Sequence, residues 1–365
     1  PPSALTPDPS PSGRGGKGGA WFTDFSRLPT TGIRPVSTWE QGKGDEGWIT
    51  PTAFTAHAGA VDEAARAAGL TPSTFERATA LAFLWFAGQR VEFAVCEIGL
   101  GGRFDAVNAA PNVLALIGPL EREHAAMLGG TLEHIAWHKA GVIAPGGVAV
   151  ALPPTEPLVR AVIEAEAAQK GAALVFADDI AAAGLTVLRE RGIAPPGASI
   201  PEEIALPGRL ERAEINGRRV LIDGGHTALA ARRLAETIAP ELAGGVCVVV
   251  GMLADKDATA YLRELDAPGV RLICTTAPAG RAFPAEQLAE VYAPQHAHIT
   301  VETSFERALV AGMAAEAGLT VVAGSLRMVA AAREAFGLLD AAALDEARRT
   351  RALFAGEGYR ARWEG

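Results

Sequence analysis

Four short stretches of this 365-residue chain bring together residue types that could do chemistry. Glu97 is followed by Gly99-Leu100-Gly101-Gly102-Arg103-Phe104-Asp105 and Asn108: a carboxylate, then glycines that let backbone amides approach an anion. The ordinary alternative is a tight turn beside a solvated acid. Glu121-Arg122-Glu123-His124 offers a carboxylate and an imidazole that could share a divalent cation with Glu97, although a lone His is more often structural. Lys139, in HKAGVI, is one of only five lysines against 28 arginines, and an amine is reactive where a guanidinium is not. Its plain alternative is a helix-end cation complementing the dipole. In Asp223-Gly224-Gly225-His226 an acid and an imidazole flank a turn that opens a helix, a place that can hold a ribose hydroxyl and an anionic carboxyl group.

Positioning such groups takes a sheet, and the hydrophobic pattern supplies one. Amphipathic helices are expected in TAFTAHAGAVDEAARAAGL and, behind a cap at Thr71-Pro72-Ser73, in FERATALAFLWFAG. Then come a strand VEFAVCEI, the glycine-rich loop, a strand VLALIG, a helix TLEHIAWHKAGV, a strand VAVALP, a helix EPLVRAVIEAEAAQKG and a strand AALVF. The stretch IAPPGASIPEEIALPGRLER breaks the rhythm and marks a domain boundary. Beyond it run strands RRVLID, VCVVVG, RLICTT and LTVVAG, with helices from about Ala228 to Ala239 and in DATAYLREL, PAEQLAEVY, SFERALVAGMAAEAG and SLRMVAAAREAFG. Alternating strands and helices predict two doubly wound α/β domains with mostly parallel sheets, the second smaller. The expected divisions are 1–48, irregular and rich in Gly and Pro; 49–198, the first α/β domain; and 199–365, the second.

Composition narrows the function. A net charge of −9, with 33 basic and 42 acidic residues, lacks the footprint of a nucleic-acid binder. No apolar run reaches the ~18 residues of a membrane span, and the first residues show no apolar secretory core, so a cytoplasmic protein is expected. Cys96, Cys247 and Cys274 each sit in a strand-like run and are expected to be buried core thiols.

The run TPSTFERATALAFLWFA, VEFAVCEIGLGGRFDAVNA and EHAAMLGGTLEHIAWHKAGVI, followed by LPGRLE, IDGGH, GMLADKD and AGSLRMV, resembles the folylpolyglutamate synthase/dihydrofolate synthase family of the Mur ligase superfamily, from about Thr52 to Gly337. The most specific part is the joint spacing of Glu97, His124 and Lys139, 27 and 15 residues apart, in the order of two magnesium ligands and a carbamylated lysine in that family. The resemblance implies ATP-dependent ligation of L-glutamate to a folate or dihydropteroate carboxyl group through an acyl phosphate, with Mg2+ neutralising charge during phosphoryl transfer. It implies that Arg209 and Asp223 contact ATP, that His226 and Ser325 lie near the glutamate, and that the site forms between two domains of a monomer. Asp255-Lys256-Asp257 matches the family's DKD turn, with a structural role as good a reading as any.

Two departures stand beside it. The fourth stretch reads Asp-Gly-Gly-His-Thr-Ala where the family has Asp-Gly-Ala-His-Asn-Pro. Gly13-Arg14-Gly15-Gly16-Lys17-Gly18-Gly19 fits the bare spacing of the family's phosphate loop, making Gly16 and Lys17 candidate ATP contacts, yet no strand precedes it and no helix pattern follows. A chain with impaired turnover is therefore expected. Other readings are another Mur-type amino-acid ligase, such as a muramyl-peptide or cyanophycin enzyme, and a non-catalytic protein that keeps the fold.

Overall fold

The structure, a computed structural model, describes residues 49–201 and 206–339. The expectations for 1–48, including Gly16 and Lys17, lie outside the described residues. The chain forms two units, Pro1–Ile200 and Pro201–Gly365.

In the first unit, helices α1 (Pro51–Ala67) and α2 (Thr74–Gln89) pair with each other. Thr50 caps α1, with Pro51 at its first position. Ser73 caps α2 in a reciprocal box: its hydroxyl accepts from Glu76 N at 3.3 Å while the Glu76 carboxylate accepts from Ser73 N at 2.6 Å. Strands β1 (Ala115–Ile117), β2 (Val148–Ala151) and β3 (Ala173–Phe176) make a parallel sheet in the order β1-β2-β3. Helices α3 (Leu132–Ala140) and α4 (Pro157–Gln169) pack on one face, burying Ala136, Ala140, Val159 and Ile163 against Ala115, Ile117, Ala149 and Ala151. Helix α5 (Ile180–Glu190) packs against β1 and β2, and Gly184 gives room there to Leu116. The sequence reading passed over α5.

One expected strand is absent. Residues 93–98 of VEFAVCEI form no ladder with any described strand. Val95 is 99% exposed, and Cys96 is exposed rather than buried in a core. The apolar pattern is that of a buried strand, but burial needs neighbours on both sides. Among the described residues β1 ends the sheet and nothing covers 91–97.

The second unit carries the larger sheet, six strands in the order β4-β5-β9-β6-β7-β8. Strands β4 (Glu211–Ile215) and β5 (Arg218–Ile222) form an antiparallel hairpin around Asn216-Gly217, both at positive φ, as a two-residue turn of this kind requires. Strands β5, β9 (Leu319–Ala323), β6 (Val246–Val250), β7 (Val270–Cys274) and β8 (His298–Val301) run parallel. The sequence reading missed β4 and β8. Helices α6 (Ala228–Ile238), α7 (Ala258–Glu264) and α8 (Ala285–Glu290) cover one face, with Leu234, Ile238, Tyr261, Leu262 and Leu288 against Leu221, Val248 and Leu272. Helices α9 (Phe305–Ala314) and α10 (Leu326–Ala335) cover the other, with Phe305, Leu309 and Met328 against Ile222, Val249 and Val322. Cys247 and Cys274 are buried in β6 and β7. No described helix is long and apolar enough to cross a membrane.

Candidate functional site

In the first unit the glycine-rich loop folds back on the C-terminal end of α3. Gly101 and Gly102 have φ of 70° and 137°, and a side chain on Gly102 would come within 2.8 Å of the His138 carbonyl. Arg103 N donates to that carbonyl at 2.8 Å. Asp105 accepts from Leu100 N at 2.8 Å and from Val107 N at 2.9 Å, closing the loop and capping a short 3-10 turn, Ala106–Ala109. With Gly102 N on Leu100 O and Asp105 N on Gly102 O, the amides of Leu100, Gly102, Arg103, Asp105 and Val107 are all spent inside the protein. The loop is first of all a tight turn that docks on a helix.

Lys139 stands in the last turn of α3, its Cα 3.4 Å from where a Gly102 side chain would begin, so loop and lysine are held together. Glu97 lies on the exposed, unladdered stretch that leads into the loop, not at the end of a paired strand. His124 adopts φ of 53°, uncommon for a residue with a side chain, and its Nε2 is 3.6 Å from a Glu123 oxygen. Among the described residues no three His, Cys, Asp or Glu side chains gather as a metal site.

Beside the loop is a cavity of about 300 Å³. The start of α2 contributes Ser73, Phe75 and Glu76; the loop contributes Leu100, Phe104, Asp105 and Ala106; Leu128 and His138 close it. Phe104, 77% exposed, meets the rings of Trp137 and His138 edge-on, with centroids 5.8 and 5.7 Å apart. Hydrogen bonds from the Ser73 amide and hydroxyl hold the Glu76 carboxyl below its ordinary range. Burial, aided by the charge of Arg103 and by His134, pushes the His138 imidazole below its ordinary value, which keeps it neutral at pH 7. The cavity thus offers aromatic edges, the carboxylates of Glu76 and Asp105, and a neutral imidazole. The sequence reading assigned no role to Phe75, Glu76, Phe104 or His138, although Ser73-x-x-Glu76 is legible as a capping box.

In the second unit the polar residues collect at the carboxyl end of β5 and its neighbour β9. After β5 the chain turns to α6 on one face; after β9 it turns to α10 on the other, and open sheets bind ligands at such a divergence. Asp223, 5% exposed, accepts from Leu210 N at 3.1 Å and Gly225 N at 2.9 Å. Gly224 N donates to Gly208 O at 2.8 Å, and a side chain on Gly224 would stand 3.3 Å from Arg209 Nη1. His226 Nδ1 is 3.3 Å from Gly224 O. Ser325, 3% exposed, accepts from Met328 N at 3.2 Å and so caps α10. Arg209, Asp223, His226 and Ser325 thus share one end of the sheet. Asp257 of the DKD turn caps α7, accepting from Ala260 N at 2.9 Å, which is a structural role.

Comparison with known proteins adds three kinds of relative. Residues 208–326 match the Mur ligase, glutamate ligase domain. A dihydrofolate synthase/folylpolyglutamate synthase of Bacillus subtilis is 29% identical over 243 residues, 53% of this chain and 56% of that protein. The chain spans about half the length of the curated relatives it matches. Escherichia coli FolC, solved in complex with DHPP and ADP, superposes with a TM-score of 0.66 at 27% identity, covering 82% of this chain and 77% of FolC. A bifunctional folylpolyglutamate synthase/dihydrofolate synthase of Yersinia pestis, complexed with AMPPNP and Mn ion, superposes with a TM-score of 0.65 at 25% identity, covering 79% of this chain and 76% of that one.

Proposed function

For a chain that carries the glutamate ligase domain of Mur ligases over residues 208–326 and is related along most of its length to folylpolyglutamate/dihydrofolate synthases, we propose ATP-dependent ligation of L-glutamate to the carboxyl group of a folate or dihydropteroate. The observation that carries the reading is the set Arg209, Asp223, His226 and Ser325, gathered at one end of the second sheet inside the matched domain. The terminal phosphoryl group of ATP passes to the carboxylate, giving an acyl phosphate and ADP; the glutamate amine then attacks the acyl carbon and phosphate leaves.

Arg209 and Asp223 serve the nucleotide, while His226 and Ser325 serve the glutamate. Asp223 already holds the Arg209 segment through Leu210 N, so its first task is to fix the arginine beside Gly224. The cavity beside the glycine-rich loop suits the flat heteroaromatic end of a pteroate: Phe75 and Phe104 offer apolar rings, and the Glu76 carboxylate an acceptor for ring N–H groups. Mg2+ usually takes only one or two protein carboxylates and completes its shell with water and phosphate. Glu97, His124 and a carbamylated Lys139 supply donors of that kind, and the ion they would hold neutralises charge on the transferring phosphoryl group.

The test is glutamate-dependent phosphate release by the full chain with ATP, Mg2+ and dihydropteroate. In His226→Ala the KM for glutamate should rise about tenfold while the KM for ATP stays within twofold. Equal shifts for both substrates would sink the assignment, as would a failure to release phosphate with glutamate even after residues 1–48 are replaced by the N-terminal segment of a folylpolyglutamate synthase.

A further inference from the structure

The last carbonyls of a helix have no partner within it. At the end of α3, His138 O, Lys139 O and Ala140 O accept backbone N–H groups, while Trp137 O and Gly141 O, just past the helix, are taken by side chains from elsewhere. Arg103 donates through Nε and Nη2 to Trp137 O at 3.3 and 3.1 Å. Lys170 Nζ donates to Gly141 O at 2.9 Å, and Asn108 Nδ2 reaches both Gly141 O and Arg103 O at 3.2 Å. The Arg103 guanidinium also lies over the Trp137 ring, 4.0 Å from its centroid. Glu166, on α4 and 5% exposed, joins these groups: Arg103 Nη2 donates to one of its oxygens, and Lys170 Nζ sits 3.0 Å from the other.

A carboxylate this deep is not explained by stability. A buried ion cluster gains little over apolar side chains of the same volume, because desolvation offsets the Coulomb attraction. What a charge with two cations fixes is direction. Arg103 follows Gly102 in the glycine-rich loop; Trp137 and His138 precede Lys139. No side chain on Gly141 could coexist with Arg103, whose Cα would lie 2.7 Å from it, so loop and helix end interlock.

We propose that Glu166, through Arg103 and Lys170, is a positioning residue for the ligation: it holds the end of α3, and with it Lys139 and the His138 wall of the cavity, in register with the glycine-rich loop. The proposal rests on the ligase reading above. Glu166 touches neither the cavity nor Lys139, and acts only through the two cations. Burial alone would raise its carboxyl, but hydrogen bonds and charge from Arg103 and Lys170 hold it below the ordinary range, so it stays charged at neutral pH.

The experiment uses the full chain and two readouts: glutamate-dependent phosphate release, and the 13C signal of a carbamate formed on Lys139 in labelled bicarbonate. Glu166→Gln keeps the shape and an acceptor for Arg103 but removes the charge. It should lower kcat about tenfold or more and weaken the carbamate signal, with KM for ATP and glutamate within twofold. If Glu166→Gln folds poorly, Lys170→Met should give a smaller loss of kcat, which Lys170→Arg restores. Asp266→Asn in the second unit serves as a control that is destabilised with unchanged kcat per folded molecule. Wild-type kcat and carbamate in Glu166→Gln and Lys170→Met would overturn the proposal and leave the ligase reading standing. A wild-type chain with neither turnover nor carbamate would overturn the reading, and the proposal with it.

Discussion

The two units treat the same kind of raw material differently. In the second, β6 and β9 bury five consecutive residues each, because strands lie on both sides and helices on both faces. In the first, a largely apolar run, 91–98, pairs with no described strand, and among the described residues nothing covers Phe93 or Val95. Hydrophobicity states that a segment is worth burying; a neighbour decides whether it is. The chemistry follows the same division. The groups at the end of β5 are held by a rigid, covered sheet, whereas Glu97 hangs on the uncovered stretch.

Thiol chemistry gives the largest effect with which to break this contrast. Cys96 is exposed on the unladdered stretch, while burial raises the thiols of Cys247 and Cys274, the latter to about 12. Alkylation of the native chain should modify Cys96 first, with Cys247 and Cys274 slower by about 1,000-fold or more, since they react only through opening of the sheet. Mass spectrometry of peptides after timed labelling reads this directly. A Cys96 as protected as the other two would mean that 91–98 is covered and that the contrast is false.

How much of this was legible in the sequence follows from the same physics. Most helices and the buried strands of the second unit are read from apolar periodicity, because those elements do bury the faces their patterns advertise. Strand β8, HITV, escaped because its exposed edge position asks for no apolar run, and β4 because its charged alternation, ERAEI, reads as loop. The Asn216-Gly217 turn was the overlooked signal for that hairpin. At the sites, the spacing shared with the family pointed to Glu97, His124 and Lys139, but not to the cavity beside the glycine-rich loop, whose walls come from four separate segments. Nor could spacing show that Asp223 and Ser325 are already engaged as backbone acceptors.

A smaller effect comes from Asp266 in the second unit. Its carboxylate accepts from Gln295 N, His296 N and Ala297 N at 2.7, 2.9 and 2.7 Å, and from the Tyr292 hydroxyl at 2.8 Å. Burial pulls its pKa upward, but these bonds win and lower it from 3.8 to about 2. A depressed folded-state pKa stabilises the fold above the unfolded value, and that contribution is lost as pH falls through about 2. Asp266→Asn should therefore cost about 1–3 kcal/mol at pH 7, and the gap from wild type should close between pH 4 and pH 2. Denaturant melts followed by far-UV circular dichroism across that range test it. A gap that persists at pH 2 would mean the loop 292–297 is held by something other than this charge.

The smallest effect concerns a residue that stands in two descriptions at once. Ser325 caps α10 through Met328 N and also ends β9 beside Asp223. As a cap alone, Ser325→Ala should cost about 1 kcal/mol and leave turnover per folded molecule unchanged. As a glutamate contact it should in addition raise the KM for glutamate several-fold, with the KM for ATP unmoved. Ser325→Thr separates the two, since it keeps an oxygen for the cap while adding a methyl group at a position only 3% exposed. If Thr preserves the melting temperature yet raises the glutamate KM, the covered end of β9 is a binding surface as well as a scaffold. Should Ala and Thr both leave every KM alone, Ser325 is scaffold only, and of the two residues assigned to the glutamate His226 alone remains.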